Sequence, residues 1–441
     1  MRAKDSDDFI REIASQMNLL LIILFWVGVC WLGYVYVGYP VLLWLVGIFR
    51  PFHPTVSRDY VPKVSVLLSA RNERKDIEWK ISETLAWDYP PEKLELLVAS
   101  DASEDGTDQI LRNVSDPRFR YLRLEQRRGK NEALNSLNEL ATGELLFFTD
   151  ANSHIESGCL RNIVRHFADP RVGCVTGSER TIQEGEGSVV GTGTRAFLGY
   201  ESLINTLESR LGSVLTCDGS IFCIRRSLYS RLQPELANDF ELPIRIGAEG
   251  RAILFEPLGV SFERATSAPQ EEFRRKRRIC GQGVLGYWRF RDGIRGLRVW
   301  QFFSRKLLRW LGLIPLTMIL MASVWLVAAP LYAIAVALQL VFYSLALVGW
   351  WFSARRKQGS RVITFPFYFL MVNVAAFSGV VGSILGKRFS VWESPTQSRG
   401  TKVGPSPAAT TLSQSTCTAE DRTQTKSADC SMELHSGKYQ P

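Results

Sequence analysis

Near residue 64 the chain reads Val64-Ser65-Val66-Leu67-Leu68-Ser69-Ala70-Arg71-Asn72-Glu73. It opens as a short apolar run, too short for a typical helix, and stops abruptly at a polar triplet, the pattern of a buried strand. Leu94 to Ala99, Tyr121 to Leu124 and Leu145 to Thr149 read the same way, and helical patterns lie between them at Arg74 to Ala86, Thr107 to Val114 and Asn131 to Ala141. Strand and helix in alternation, with strands apolar on both faces, predict a parallel sheet of the nucleotide-binding kind. Ligands of such sheets sit beyond the carboxyl ends of the strands. Polar residues follow the runs at that edge: Arg71-Asn72-Glu73, then Asp101, then Asp150-Ala151-Asn152.

Outward from this α/β region the composition changes. The chain has 441 residues, 46% of them hydrophobic, and the apolar ones cluster towards both ends. No Asp, Glu, Lys or Arg occurs from Ile13 to Phe49, from Trp310 to Ser353, or from Val362 to Gly386. Each stretch exceeds the ~20 apolar residues that span a bilayer, which predicts an integral, multi-pass membrane protein. The first stretch is too long for the core of a signal peptide and lacks a small-residue cleavage site, so it reads as a retained anchor. Ala328-Ala329-Pro330 breaks the second stretch into two helices. The expected organisation is a segment at 1–17, a span at 18–50, an α/β domain with juxtamembrane helices at 51–309, three spans at 310–386, and a disordered tail at 387–441, rich in Ser, Thr, Gln and Pro. The 8 cysteines are scattered without a CxxC pair or zinc-ligand spacing, so neither a disulfide scaffold nor a structural metal is expected.

At this point the residues resemble a family. Val64 to Glu73, then Ser100-Asp101-Ala102-Ser103-Glu104-Asp105-Gly106-Thr107, then Gly129-Lys130-Asn131 with Ala133 and Leu134, then Phe147-Phe148-Thr149-Asp150-Ala151-Asn152, are similar in order and spacing to family-2 glycosyltransferases. Asn238-Asp239 with Leu242, Arg245 and Gly250 resembles the family's ED segment, and Arg275-Lys276-Arg277-Arg278-Ile279 occupies the place of its QxxRW element. The resemblance implies a GT-A fold flanked by transmembrane helices, and inverting transfer of a sugar from a nucleotide-diphosphate sugar, a UDP-sugar, to a growing polysaccharide or lipid-linked acceptor. The layout resembles hyaluronan, chitin and poly-N-acetylglucosamine synthases. Two other readings stay open: a single-transfer enzyme acting on a lipid carrier, and a catalytically silent GT-A subunit of a membrane assembly. Membrane lipids and, in some layouts, export or assembly subunits are the expected partners; no nucleic acid is.

The resemblance also assigns roles. Asp150 is implied as a ligand for Mg2+ or Mn2+, and Asn152, where a second acid is usual, offers a neutral carbonyl oxygen. Glu73 and Asp101 are implied as contacts to base and ribose, Lys130 as lying near the nucleotide, and Arg275 and Arg278 as serving the diphosphate or acceptor. Asp239 is implied as the general base that takes the acceptor's proton. Each has a plainer alternative: a turn acid for Asp101, a solvated helix start for Lys130, a helix cap for Asp239, lipid headgroup attraction for the basic run. Asp105-Gly106-Thr107 reads only as a turn and cap, and His154 equally as a surface cap or a site residue.

Orientation follows from charge. Arg355, Arg356, Lys357 and Arg361 crowd the loop before the last stretch, whereas the Ala329-Pro330 turn is uncharged. The positive-inside rule then places that loop and the catalytic domain in the cytoplasm, beneath a plasma (inner) membrane. Lys387 and Arg388 strain a four-crossing scheme, which an interfacial or re-entrant segment would change by one. A reporter inserted between Arg355 and Arg361 and another near Arg120 are both expected to report cytoplasm; opposite sides would refute the scheme.

Overall fold

The computed structural model describes residues 2–182, 189–264, 268–355 and 360–387. The four expected strands form as β1 (Val64–Ala70), β2 (Leu94–Asp101), β3 (Phe119–Leu124) and β4 (Leu145–Thr149). The expected helices form as α2 (Ile77–Leu85), α3 (Thr107–Arg112) and α4 (Lys130–Leu140), numbered after an N-terminal helix described below. The strands pair parallel in the order β3-β2-β1-β4. β1 and β4 are largely apolar because both faces are covered: Val66 and Leu68 pack with Ile77 and Ile81 of α2, while Leu67 packs with Leu134 and Leu137 of α4.

The sheet does not stay parallel. It continues through β7 (Ile221–Arg225), β6 (Val172–Ile182), β8 (Ala252–Arg264) and β5 (His154–Ile155), giving 8 strands in the order β3-β2-β1-β4-β7-β6-β8-β5. β7 runs antiparallel to both β4 and β6, and β5 antiparallel to β8. The parallel sheet expected from the sequence is therefore half of a mixed one. Phe148 and Phe222 stack face to face across the β4–β7 seam at 4.4 Å.

The remaining helices are α5 (Cys159–Val164), α6 (Val189–Ser209), α7 (Asn238–Ala248) and α8 (Pro269–Phe290) in the domain, and α9 (Leu297–Trp310, with a π turn at Phe302–Leu307), α10 (Leu313–Trp325), α11 (Pro330–Ala354) and α12 (Arg361–Ile384) beyond it. The N-terminal helix α1 runs Arg2–Gly33, widens into a π turn at Tyr34–Gly38 and continues Tyr39–Phe49. Among the described residues, three segments are each long and apolar enough to cross a membrane: Ile13–Phe49, Pro330–Ala354 and Arg361–Ile384. The break expected at Ala329-Pro330 is present, but α10 has only 13 residues. That is ~20 Å of helix against a hydrocarbon core of ~30 Å, so α10 reaches span length only together with α9, to which it is bent by 55°. Arg356, Lys357 and almost all of the tail expected to be disordered lie outside the described residues.

A buried polar network fastens the domain to these helices. Glu208 of α6 has no exposed surface; it accepts from Tyr39 Oη of α1 at 2.6 Å, from Arg305 Nη1 of α9 at 2.5 Å and from the Leu215 amide at 3.0 Å. Arg305 also donates to Glu201 at 2.7 Å and Asn205 at 2.8 Å. Tyr200 Oη of α6 donates to the carbonyls of Val35 and Tyr36, in the π turn of α1. A buried pair broken on one side leaves an uncompensated charge. Glu208→Ala should therefore lower stability by about 3–5 kcal/mol, read as a reduced unfolding midpoint in detergent. A midpoint matching that of the exposed-site control Glu139→Ala would show that the network does not hold domain and helices together.

Candidate active site

The polar residues that follow β1, β2 and β4 meet at one edge of the sheet, facing the start of α7 and one side of α8. Asp101 ends β2 and is almost fully buried; its carboxylate accepts from the backbone amides of Arg128 at 2.7 Å and Gly129 at 2.9 Å. It thereby holds the loop that launches α4, where Gly129 sits at φ 89°, a conformation that glycine adopts without strain. Arg71 closes the same corner by donating to the Asp101 carbonyl at 2.7 Å. Glu73 is buried; its amide donates to Thr107 Oγ1 at 2.9 Å, and its carbonyl accepts from Asp76 and Ile77 at the start of α2. Asp105 accepts from the Thr107 amide and hydroxyl and from the Arg74 amide, which holds the turn before α3, while Gly106 takes the capping position without a side-chain cap.

Lys130 is the first residue of α4, and its Nζ lies 2.5 Å from Asp150 Oδ1. Asp150 follows β4, with Asn152 in the same turn. Asp239 stands in the first turn of α7, and the capping position is taken by Ala237 without a side-chain cap, so Asp239 is not there to cap the helix. Gly219 lies against its carboxylate: a Cβ there would be 3.2 Å from Asp239 Oδ2. Burial pushes the Asp239 carboxyl above the usual range; Lys130 and Arg278 oppose the shift, and the like charge of Asp150 adds to it.

The basic run divides by helical geometry. Arg275 and Arg278, three residues apart on α8, face inwards: Arg278 looks onto Asp239 and Asp150, and Arg275 lies 3.8 Å from Glu179 and faces Glu263 and Asp218. Arg274 and Ile279 are exposed. Lys276 packs over Phe197 and pairs with Glu272 at 3.5 Å, while Glu272 accepts from Tyr368 Oη of α12 at 3.0 Å. A side chain at Gly379 of α12 would collide with the Arg277 carbonyl, and one at Gly283 of α8 with Trp310. The helix that brings arginines to the site is thus wedged against the membrane-span candidates.

Three acids at this edge escaped the sequence reading: Glu179 on β6, Asp218 before β7, and Glu263 on β8. Burial and then the neighbouring Glu179 push Glu263 up to about 8, and burial with Glu179 and Glu263 raises Asp218 well above the carboxylate range. The missed signal was the strand character of Val172–Ile182 and Ala252–Arg264, which sets these acids beside one another.

The donor set fits a hard divalent cation. Asp150 is surrounded by the like charges of Asp239 and Glu263, and an ammonium already rests on it. Among the described residues no group of three His, Cys, Asp or Glu side chains could enclose a metal. Such a site suits an ion that keeps several waters and takes further oxygens from phosphates, as Mg2+ does, rather than a structural zinc.

Comparison with known proteins agrees with this geometry. The model for Glycosyl transferase family 2 matches residues 65–232. The probable glycosyltransferase YdaM of Bacillus subtilis (strain 168) is 28% identical over 219 residues, covering 46% of this chain and 51% of the relative. The poly-beta-1,6-N-acetyl-D-glucosamine synthase of Staphylococcus aureus (strain COL) is 26% identical over 216 residues, covering 47% of this chain and 51% of the relative. The chain thus spans about half the length of the curated relatives it matches. Among solved structures, the mannosyltransferase PcManGT from Pyrobaculum calidifontis, determined with GDP-Man and Mn2+, superposes with a TM-score of 0.64 at 22% identity, covering 83% of this chain and all of that one. The sheet with its carboxylate-lined edge is the GT-A fold, and residues 65–232 within it match the family 2 glycosyltransferases.

Proposed function

We propose that this chain transfers a sugar with inversion from a UDP-sugar to a growing polysaccharide or lipid-linked acceptor, at the cytoplasmic face of the plasma (inner) membrane. The observation that carries the reading is the placement of Asp239: a half-buried carboxylate beside Lys130, Arg278 and Asp150, on a helix that packs against α8. The kinship to a poly-N-acetylglucosamine synthase supports the polymer acceptor.

Single-displacement transfer needs a base on one side of the anomeric carbon and charge neutralisation on the other. Asp239 takes the acceptor hydroxyl's proton as that oxygen attacks the anomeric carbon, and the bond to the diphosphate breaks. Lys130 and Arg278 supply the positive charge that meets the departing diphosphate. Asp150 and Asn152 would hold Mg2+ or Mn2+, whose charge neutralises the phosphate oxygens. Glu73 and Asp101 frame the nucleoside end of the same edge. Because α8 rests on α12, the acceptor side of Asp239 lies near the membrane helices, which suits a product that stays bound to or crosses the bilayer.

Asp239→Asn preserves size but cannot accept a proton, so turnover should fall by roughly 10²–10⁴ while nucleotide affinity barely changes. A variant that transfers as fast as wild type would show that Asp239 is not the base. The raised carboxyl sets a sign as well: the base form grows as pH rises, so kcat/KM of the wild type should climb with pH through a midpoint above the ordinary aspartate value of about 3.9. An acid limb at or below that value would contradict Asp239 as the base.

A further inference from the structure

Lys80, on α2, was not singled out by its sequence context, yet its side chain is completely buried. Its ammonium donates to the carbonyl of Ser153 at 2.6 Å and lies 3.3 Å from Glu83 Oε2. Ser153 belongs to the turn that carries Asp150 and Asn152; its hydroxyl donates to the Asp150 carbonyl at 2.8 Å and stands 3.1 Å from Thr149 Oγ1. Glu83 grips the far end of the turn, accepting from the Ile155 amide at 3.0 Å and pairing with His154 Nδ1. The His154 ring is in turn held between Trp79 and Phe262. Two residues of one helix thus clasp both sides of the turn from behind.

An ammonium stripped of water is costly, and an apolar chain of similar length would fill the same space without that cost. Packing alone therefore does not account for a lysine here. Its carbonyl partner does: a turn that must present a carboxylate and an amide oxygen at fixed positions is held by a charged donor on the Ser153 carbonyl. We propose that Lys80 is a positioning residue for the cation site, fixing the Asp150–Asn152 turn through Ser153 while Glu83 fixes it through His154 and Ile155. The proposal rests on the reading of Asp150 and Asn152 as cation ligands. The clasp explains how a site with only two protein donors in sequence keeps its geometry.

The test titrates Mn2+ in the presence of UDP, followed by the manganese paramagnetic resonance signal, on wild type, Asp150→Ala and Lys80→Met full-length protein in detergent. Lys80→Met should unfold at a lower temperature than wild type, because Glu83 and the Ser153 carbonyl lose a buried donor, and its folded fraction should bind Mn2+ roughly 10–100-fold more weakly, the usual effect of losing a group that orients a metal ligand. The KM for the donor should rise, and Lys80→Arg should restore part of the affinity. Wild-type Mn2+ affinity in a folded Lys80→Met protein would overturn the proposal. Should that variant fail to fold, Glu83→Gln takes its place, with weakened Mn2+ binding expected and unchanged binding again overturning it. Equal Mn2+ binding by wild type and Asp150→Ala would instead remove the cation reading itself, and the proposal with it.

Discussion

A carboxylate without water must be given partners, and Glu208 shows what that constraint builds. Its partners come from three places far apart in the chain: Tyr39 in the N-terminal helix, Leu215 in the domain and Arg305 after it. None of them can move away without leaving a buried charge exposed to a low dielectric. The domain is therefore locked against α1 and α9, and the catalytic edge inherits a fixed position relative to the helices read as membrane spans. The lock extends through α8, whose glycines admit Trp310 and Phe240 and whose Glu272 reaches Tyr368 of α12. Arg275 and Arg278 face the site because the opposite side of their helix is already taken.

The same logic of charge compensation organises the site. Asp101 is used to hold a loop, and that loop delivers Lys130 onto Asp150. Asp239, Glu263 and Asp218 crowd the same space with their protons held more tightly than usual. An edge so rich in opposed charges is ready to accept a diphosphate and a cation together, because each neutralises what the other leaves uncompensated. Ala102, held at φ 52° immediately after Asp101, marks strained backbone at this edge, where functional sites commonly carry it.

Much of this was legible in the sequence for a physical reason. β1, β2 and β4 are buried on both faces, so most of their residues are apolar, and the polar residues that end or follow them stand out. The second half of the sheet was not legible: β6 and β8 mix Gly, Ser, Thr, Glu and Arg with apolar residues, because their ends leave the core and line the site. Glu179 and Glu263 went unnoticed for that reason, and Lys80 because a lysine in a helical pattern ordinarily points to solvent. The long first span gave no sign of its π turn, where Tyr200 of another helix reaches the carbonyls of Val35 and Tyr36. Asp150 and Asp239 were found through resemblance; their proximity emerged only from the packing of α7 against the strand edge.

One displacement, with Asp239 as base, inverts the anomeric carbon as the sugar moves. Its most direct test is the stereochemistry of the product. Membranes containing the protein would be supplied with a panel of carbon-13-labelled, α-linked UDP-sugars, and the anomeric carbon–proton coupling of the transferred residue measured by NMR. A β-linked product is the predicted result, and an α-linked product would contradict the mechanism.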